Sequence, residues 1–164
     1  MKNRGRFWAI AILAWIVFIG LDFLFHASLL KSLWQEKVDA FKSAEDLFIL
    51  IPSGYLSFLL LTLLVGYAFT KIYPTKPSGR QTARFALIFG LLYAVGNALG
   101  LYSYVNIPLK HLVVYHLVYF IEIAAVVFVF YKAYYKKSLR KAIWYALLAF
   151  FVLVVVGVIL QNII

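Results

Sequence analysis

The sequence predicts an all-α integral membrane bundle of five transmembrane helices, with a short amphipathic interfacial helix between the first and second spans. Three observations predict it. The 164 residues are 65% hydrophobic and only 13% charged, where soluble domains run about 45–50% apolar and about 25% charged. The mean hydropathy is +0.93, more apolar surface than one soluble core of this length can bury, so lipid must solvate much of it. The Lys and Arg residues behind the net charge of +10 sit in short clusters between long apolar runs. That is the pattern of membrane topology, not of a nucleic-acid-binding face. The chain reads as a single transmembrane domain over 1–164, with spans at about 7–30, 47–70, 83–104, 108–131 and 142–160.

Each span follows from local signals. The run after the basic start Lys2, Arg4, Arg6 is longer than a signal-peptide core of about 7–15 residues, and no small-residue cleavage site follows it. It therefore reads as a retained first helix. Residues 31–46 are polar, with Trp34, Val38 and Phe41 at helical spacing, which predicts a short amphipathic helix lying in the interface. Ser43 and Asp46 stand three apart before the next apolar run and resemble a capping box. Pro52, with Ser53 beside it, predicts a kink in the second span, with Ser53 or Ser57 repairing the break. Pro74, Pro77, Ser78 and Gly79 mark a loop. Gly96 and Gly100 form a G-x-x-x-G in the third span, read as close packing inside the bundle. Asn106 and Pro108 form a tight connection into the fourth span, and Ser138 is placed to cap the fifth. The fifth span has no strongly polar residue until its end and is expected to face lipid or a partner.

Charge sets the expected orientation. The N-terminal segment and the second and fourth connections carry twelve Lys and Arg, against four on the other side. The positive-inside rule then puts the N-terminus inside and the C-terminus outside, in a bacterial or archaeal cytoplasmic membrane. Trp8, Trp34, Tyr73, Tyr104, Tyr134 and Trp144 fit interfacial belts.

A carboxylate near a bilayer centre costs about 2.5–3.5 kcal/mol on insertion scales, so it normally faces protein or water. Asp22 and His26, four residues apart, share one face of the first helix. At about 1.5 Å per residue, they fall in the outer half with Tyr55, Asn97, Tyr102, His111 and Tyr115, and Glu122 lies near mid-depth. Those eight residues are the candidate site for a ligand or proton. His111, Tyr115 and Glu122 share a face of the fourth helix, while His116 points roughly 140° away from His111 at about 100° per residue. The plainer alternative is that Asp22–His26 and Glu122–His111 are hydrogen-bonded pairs that hold helices together.

Other chemistries lack their motifs. The absence of Cys excludes disulfides, thiolate metal sites and Cys nucleophiles. No H-x-x-x-H or H-x-x-E-H spacing marks a metal site, and no G-x-S-x-G, H-E-x-x-H or P-loop marks an enzyme. The expectation is a non-catalytic protein without cofactor or metal. It would bind or move a small solute, lipid headgroup or proton. The rival reading is an accessory or structural subunit of a larger membrane complex. Expected partners are the lipid bilayer, other membrane subunits or further copies of this chain, and no nucleic acid. The layout resembles that of small bacterial inner-membrane proteins with a polar, aromatic patch closing the first helix and a Gly-rich third helix, here residues 20–34 and 90–104. The resemblance implies location and carries no activity.

Overall fold

The computed structural model describes residues 4–135 and 138–163, the side chain of Ala44 excepted. Lys2, Lys136 and Lys137 of the charge count lie outside the described residues. The order is α1 (Arg4–Asp22), a π-helical segment (Phe23–Leu29), α2 (Lys31–Trp34), α3 (Ala44–Ile72), α4 (Gly79–Tyr104), α5 (Leu109–Ala133) and α6 (Leu139–Ile163). Among the described residues, five helices are long and apolar enough to cross a membrane, the first being α1 with its π-helical continuation.

α1 and α5 are the inner helices. α1 packs against α3, α5 and α6, and α5 packs against α1, α3 and α4. Phe7, Ile10, Ala11, Leu13, Ala14, Val17 and Phe18 are buried on α1, and Ile123, Val126, Val127 and Phe130 on α5. A helix apolar all round belongs in such a position. On α6 the described buried residues are Ala146 and Gly157, and the rest of its apolar surface is exposed or half-exposed.

The helix ends explain where the elements depart from expectation. α4 begins at Gly79 because Ser78 and Gln81 form a reciprocal capping box, with Gln81 N donating to Ser78 Oγ (3.2 Å) and Ser78 N to Gln81 Oε1 (2.8 Å). The start expected near residue 83 is therefore four residues late. Ser43 caps α3 by accepting from Asp46 N (3.1 Å), and its hydroxyl donates to the Asp46 carboxylate (2.8 Å). Arg6 closes the other end of the bundle, donating to the carbonyls of Ala133 and Tyr134 at the end of α5 (2.7 and 2.8 Å).

Three expectations fail here. The amphipathic helix over residues 31–46 is helical only over Lys31–Trp34, and residues 35–43 are turns and bends. Trp34, Val38 and Phe41 turn in toward the bundle and are half-buried, which irregular chain allows and a helix lying in the interface does not. The G-x-x-x-G of α4 is also unused, for a Cβ added at Gly96 or Gly100 would meet nothing within 4 Å among the described residues. Close approach is made elsewhere. A Cβ at Gly66 would lie 2.1 Å from the Phe130 ring, one at Gly90 2.8 Å from Phe120, and one at Gly157 2.9 Å from Phe23. The packing glycines are thus isolated positions facing large aromatic rings, which no small-residue spacing reveals. Ser57 donates to Gly54 (2.8 Å), not to the carbonyl that Pro52 frees one turn earlier, so it does not repair a break at the proline.

Phe130 is fully buried and its ring occupies the space that a Gly66 Cβ would need. Gly66→Ala is expected to destabilise the protein by about 1–3 kcal/mol, while Gly96→Ala is neutral or stabilising by up to about 1 kcal/mol. Thermal unfolding of the two variants in one detergent checks this, and an equal loss in both contradicts the packing described.

Candidate functional site: a carboxylate–imidazole cluster beneath an aromatic recess

The site is built where α1 changes winding. From Phe23 the helix widens by one residue per turn, as in the bond from Leu30 N to Phe25 O (2.8 Å). π-helical turns of this kind are rare and concentrate at functional positions. The cause is local. Ser28 is buried and donates from Oγ to the Gly157 carbonyl of α6 (2.8 Å), and the absence of a side chain at Gly157 admits Phe23 and Ser28. The widened turn carries His26.

His26 Nε2 stands 3.6 Å from Asp22 Oδ1, beyond hydrogen-bond length but within ion-pair reach. Glu122 of α5 approaches from the facing helix. One ligand atom each from Asp22, His26 and Glu122 can be chosen so that all three lie within 4.8 Å of one another. Glu122 is 0% exposed, and neither carboxylate oxygen has a hydrogen-bond partner among the described residues. An ionised carboxylate buried without a partner costs several kcal/mol, so Glu122 is a costly side chain to place here.

Above the cluster, toward the end carrying the 30–43 and 105–108 connections, lies a cavity of about 1040 Å³. His26, Trp34, Phe41, His111 and Tyr115 line its inner part, and the chain from Glu36 to Ser43 forms its rim. The rings touch one another, with centroids 5.0 Å apart for His26 and Trp34, 5.8 Å for Trp34 and Tyr115, and 5.5 Å for Phe41 and His111. Asp22 and Glu122 are not in the cavity wall, while His26 belongs to both cluster and cavity. Tyr115 donates to the Tyr119 hydroxyl (3.1 Å), one turn deeper on α5.

The structure sorts the eight sequence candidates. Asp22, His26 and Glu122 are together, and Tyr115 packs on His26 at 5.8 Å. Tyr55 lies within electrostatic reach of Asp22, and its carbonyl accepts from Trp15 Nε1 (2.9 Å). His111 faces the cavity but does not pair with Glu122. It donates from Nε2 to the Leu33 carbonyl (3.0 Å), leaving Nδ1 buried without a partner among the described residues. The two share a helix face but stand eleven residues apart, about 16 Å along the axis, too far for one site. Asn97 turns to His116 instead, with Asn97 Oδ1 2.9 Å from His116 Nε2. Because His116 Nδ1 donates to Leu112 (2.7 Å), a neutral ring needs an N–H from Asn97, reached by a half-turn of the amide. Tyr102 is 64% exposed and lies outside the site. The cluster therefore comes from two helices, not four.

Sequence reasoning missed Trp34, Phe41 and Tyr119 as site residues, and Glu36 at the rim. Tyr119 is four residues after Tyr115 and three before Glu122, so helical spacing marks it. Nothing local marks the others.

Comparison with family models, with curated proteins and with solved structures returns no match for this chain. Its class is therefore defined by its own geometry: a helical bundle with five candidate membrane-spanning helices and a carboxylate–imidazole cluster in which Glu122 is buried and Asp22 and His26 are half-buried.

Glu36 ties the rim to α5 through contact with Lys110, and lies 3.6 Å from His111 Nε2. The Lys110 hydrogen bond, aided by the Lys110 and His111 charges and opposed by slight desolvation, holds the Glu36 carboxyl below its usual value. A depressed carboxyl contributes anchorage that is complete above the ordinary glutamate value of about 4.3 and is lost as pH falls through the lower folded value. The Trp34 fluorescence, taken as the difference from Trp34→Phe, is expected to carry a Glu36-dependent transition that falls below that ordinary value. Glu36→Gln should remove the transition, and a midpoint above the ordinary value contradicts the tether.

Proposed function

We propose that this chain is a small polytopic membrane protein that binds or moves a positively charged ligand through the polar recess in the outer half of its bundle. The ligand is a small solute, a lipid headgroup or a proton. The orientation follows the charge bias, with the N-terminus inside and the C-terminus outside. The observation that carries the reading is Glu122, fully buried, without a hydrogen-bond partner among the described residues, and beside a second carboxylate and an imidazole. Intramembrane ionisable groups of this kind mark ion or solute paths. Two carboxyl groups at the bottom, each able to give up a proton in exchange for a cation, call for positive charge in the ligand. The rings of Trp34, Phe41 and Tyr115 line the way in, and aromatic faces attract cations.

The roles then follow. Glu122 and Asp22 supply charge or carry the proton, His26 links them to the cavity, and Tyr115 with Tyr119 supplies hydroxyls. The rival reading, a subunit of a larger complex, is favoured by the exposed apolar length of α6 and the open Gly96–Gly100 side of α4. Purification in mild detergent separates them, since a companion chain held in fixed ratio supports the subunit reading.

An apolar carbodiimide modifies protonated carboxyls in dry surroundings, and mass spectrometry locates the adduct. Labelling at Glu122 or Asp22 is expected to fall as pH rises and to be blocked by a cation; the test set is choline, ethanolamine and Zn²⁺. Asp22→Asn and Glu122→Gln should remove the protection without unfolding the protein. Labelling that ignores both pH and every cation, in protein shown to be folded, overturns the reading.

A further inference from the structure

We infer that Asp22, His26 and Glu122 form a binding site for one divalent first-row transition-metal ion, an inference that rests on the cation-binding reading above and names its ligand. The donor set is one imidazole nitrogen and two carboxylates from two packed helices, with the ligand atoms within 4.8 Å of one another. Three protein donors with room for a further ligand are the usual arrangement of an open zinc site. Bond lengths to such a metal are about 2.0–2.2 Å, which sets donors roughly 3.4 Å apart in tetrahedral geometry. The Asp22–His26 separation of 3.6 Å already fits. Even if all three donors stood at the 4.8 Å limit, a central ion would lie about 2.8 Å from each. Closure then asks for about 0.6–0.7 Å per donor, within reach of small side-chain rotations.

A second observation points into the same place. Both Glu122 oxygens are buried with no partner among the described residues, although the bundle contains hydroxyls, amides and imidazoles to satisfy them. Charge balance gives the reason. Two ionised carboxylates and one divalent cation sum to zero, so the metal relieves both desolvation costs together, whereas a Lys or Arg would neutralise only one. The mixed nitrogen and oxygen set selects the class. Imidazole with carboxylate suits zinc, manganese and iron, while Mg²⁺ and Ca²⁺ prefer oxygen-only shells with several waters or many ligands. His26 also lines the cavity, so an ion entering there meets a ligand first. The sequence shows no metal-ligand spacing because the third donor lies one hundred residues along the chain from Asp22, on another helix.

The chain lacks cysteine and has only three histidines, so binding is readily assigned. Full-length protein carrying a histidine-free affinity tag, in lipid nanodiscs, is titrated with Co²⁺ and read by its visible d–d absorption. Bound metal per chain is counted separately. One Co²⁺ per chain is expected, displaced by Zn²⁺ and not by equal Mg²⁺, with a spectrum showing nitrogen ligation. Asp22→Asn, His26→Gln and Glu122→Gln should each weaken binding at least about tenfold, since even residues that merely orient a ligand cost that much. His116→Gln, outside both cluster and cavity, should leave it unchanged. If Glu122→Gln does not fold, His26→Gln and the wild-type spectrum decide. No saturable binding, or binding indifferent to His26, overturns the inference. If carbodiimide labelling still answers to pH or to choline and ethanolamine, only the metal falls. If it answers to neither, the cation-binding reading falls with it.

Discussion

The bundle is organised around the burial of Glu122 within reach of Asp22. Glu122 forfeits its hydration and half-buried Asp22 part of its own, and two ionised carboxylates this close repel each other, so the arrangement costs free energy when they are ionised. Nothing in helix packing requires it. The surrounding structure holds the position regardless, with Ile123, Val126, Val127 and Phe130 buried below it on α5 and Val17 and Phe18 buried opposite on α1.

The aromatic recess and the π-helical turn belong to the same arrangement. A regular α1 would end without the extra residue per turn, and the Ser28–Gly157 contact holds the widened form in place. Phe23 and Ser28 enter there because Gly157 leaves space. α6, otherwise exposed, thus acts on the site from behind through one glycine. On the open side, residues 35–43 fold over the cavity, fastened by Glu36 to Lys110 and by Phe41 against Trp34 and His111. The cluster is therefore enclosed by elements of unequal firmness, packed helix behind and irregular chain in front.

The five helices long and apolar enough to cross a membrane were legible because each is a long apolar run closed by Pro, Gly or charge. Their ends shifted where polar side chains serve the helix itself, as Ser78 and Gln81 do at the start of α4. Asp22 and His26 were legible as a pair because four residues keep neighbours on one face in both α and π winding. Glu122 was legible as a member of the same site by its depth, but its direct approach to Asp22 and His26 was not, because which helices touch is a tertiary fact that spacing does not encode. His111 shows the limit of face arguments, for it shares the face of Glu122 yet lies eleven residues away. Asn97 and Tyr102 show a second limit, since similar depth does not mean a common neighbour. The amphipathic pattern of residues 31–46 was real, but its apolar members found the cavity and α5 rather than an interface.

The central claim is that Asp22 and Glu122 act on each other directly. A double-mutant cycle on unfolding free energy, comparing Asp22→Asn, Glu122→Gln and the pair in metal-free protein, measures this most directly. Groups in contact show coupling of about 0.5–3 kcal/mol, and the account predicts a value in that range. Strict additivity of the two substitutions would contradict it and leave the two carboxylates as unrelated features of separate helices.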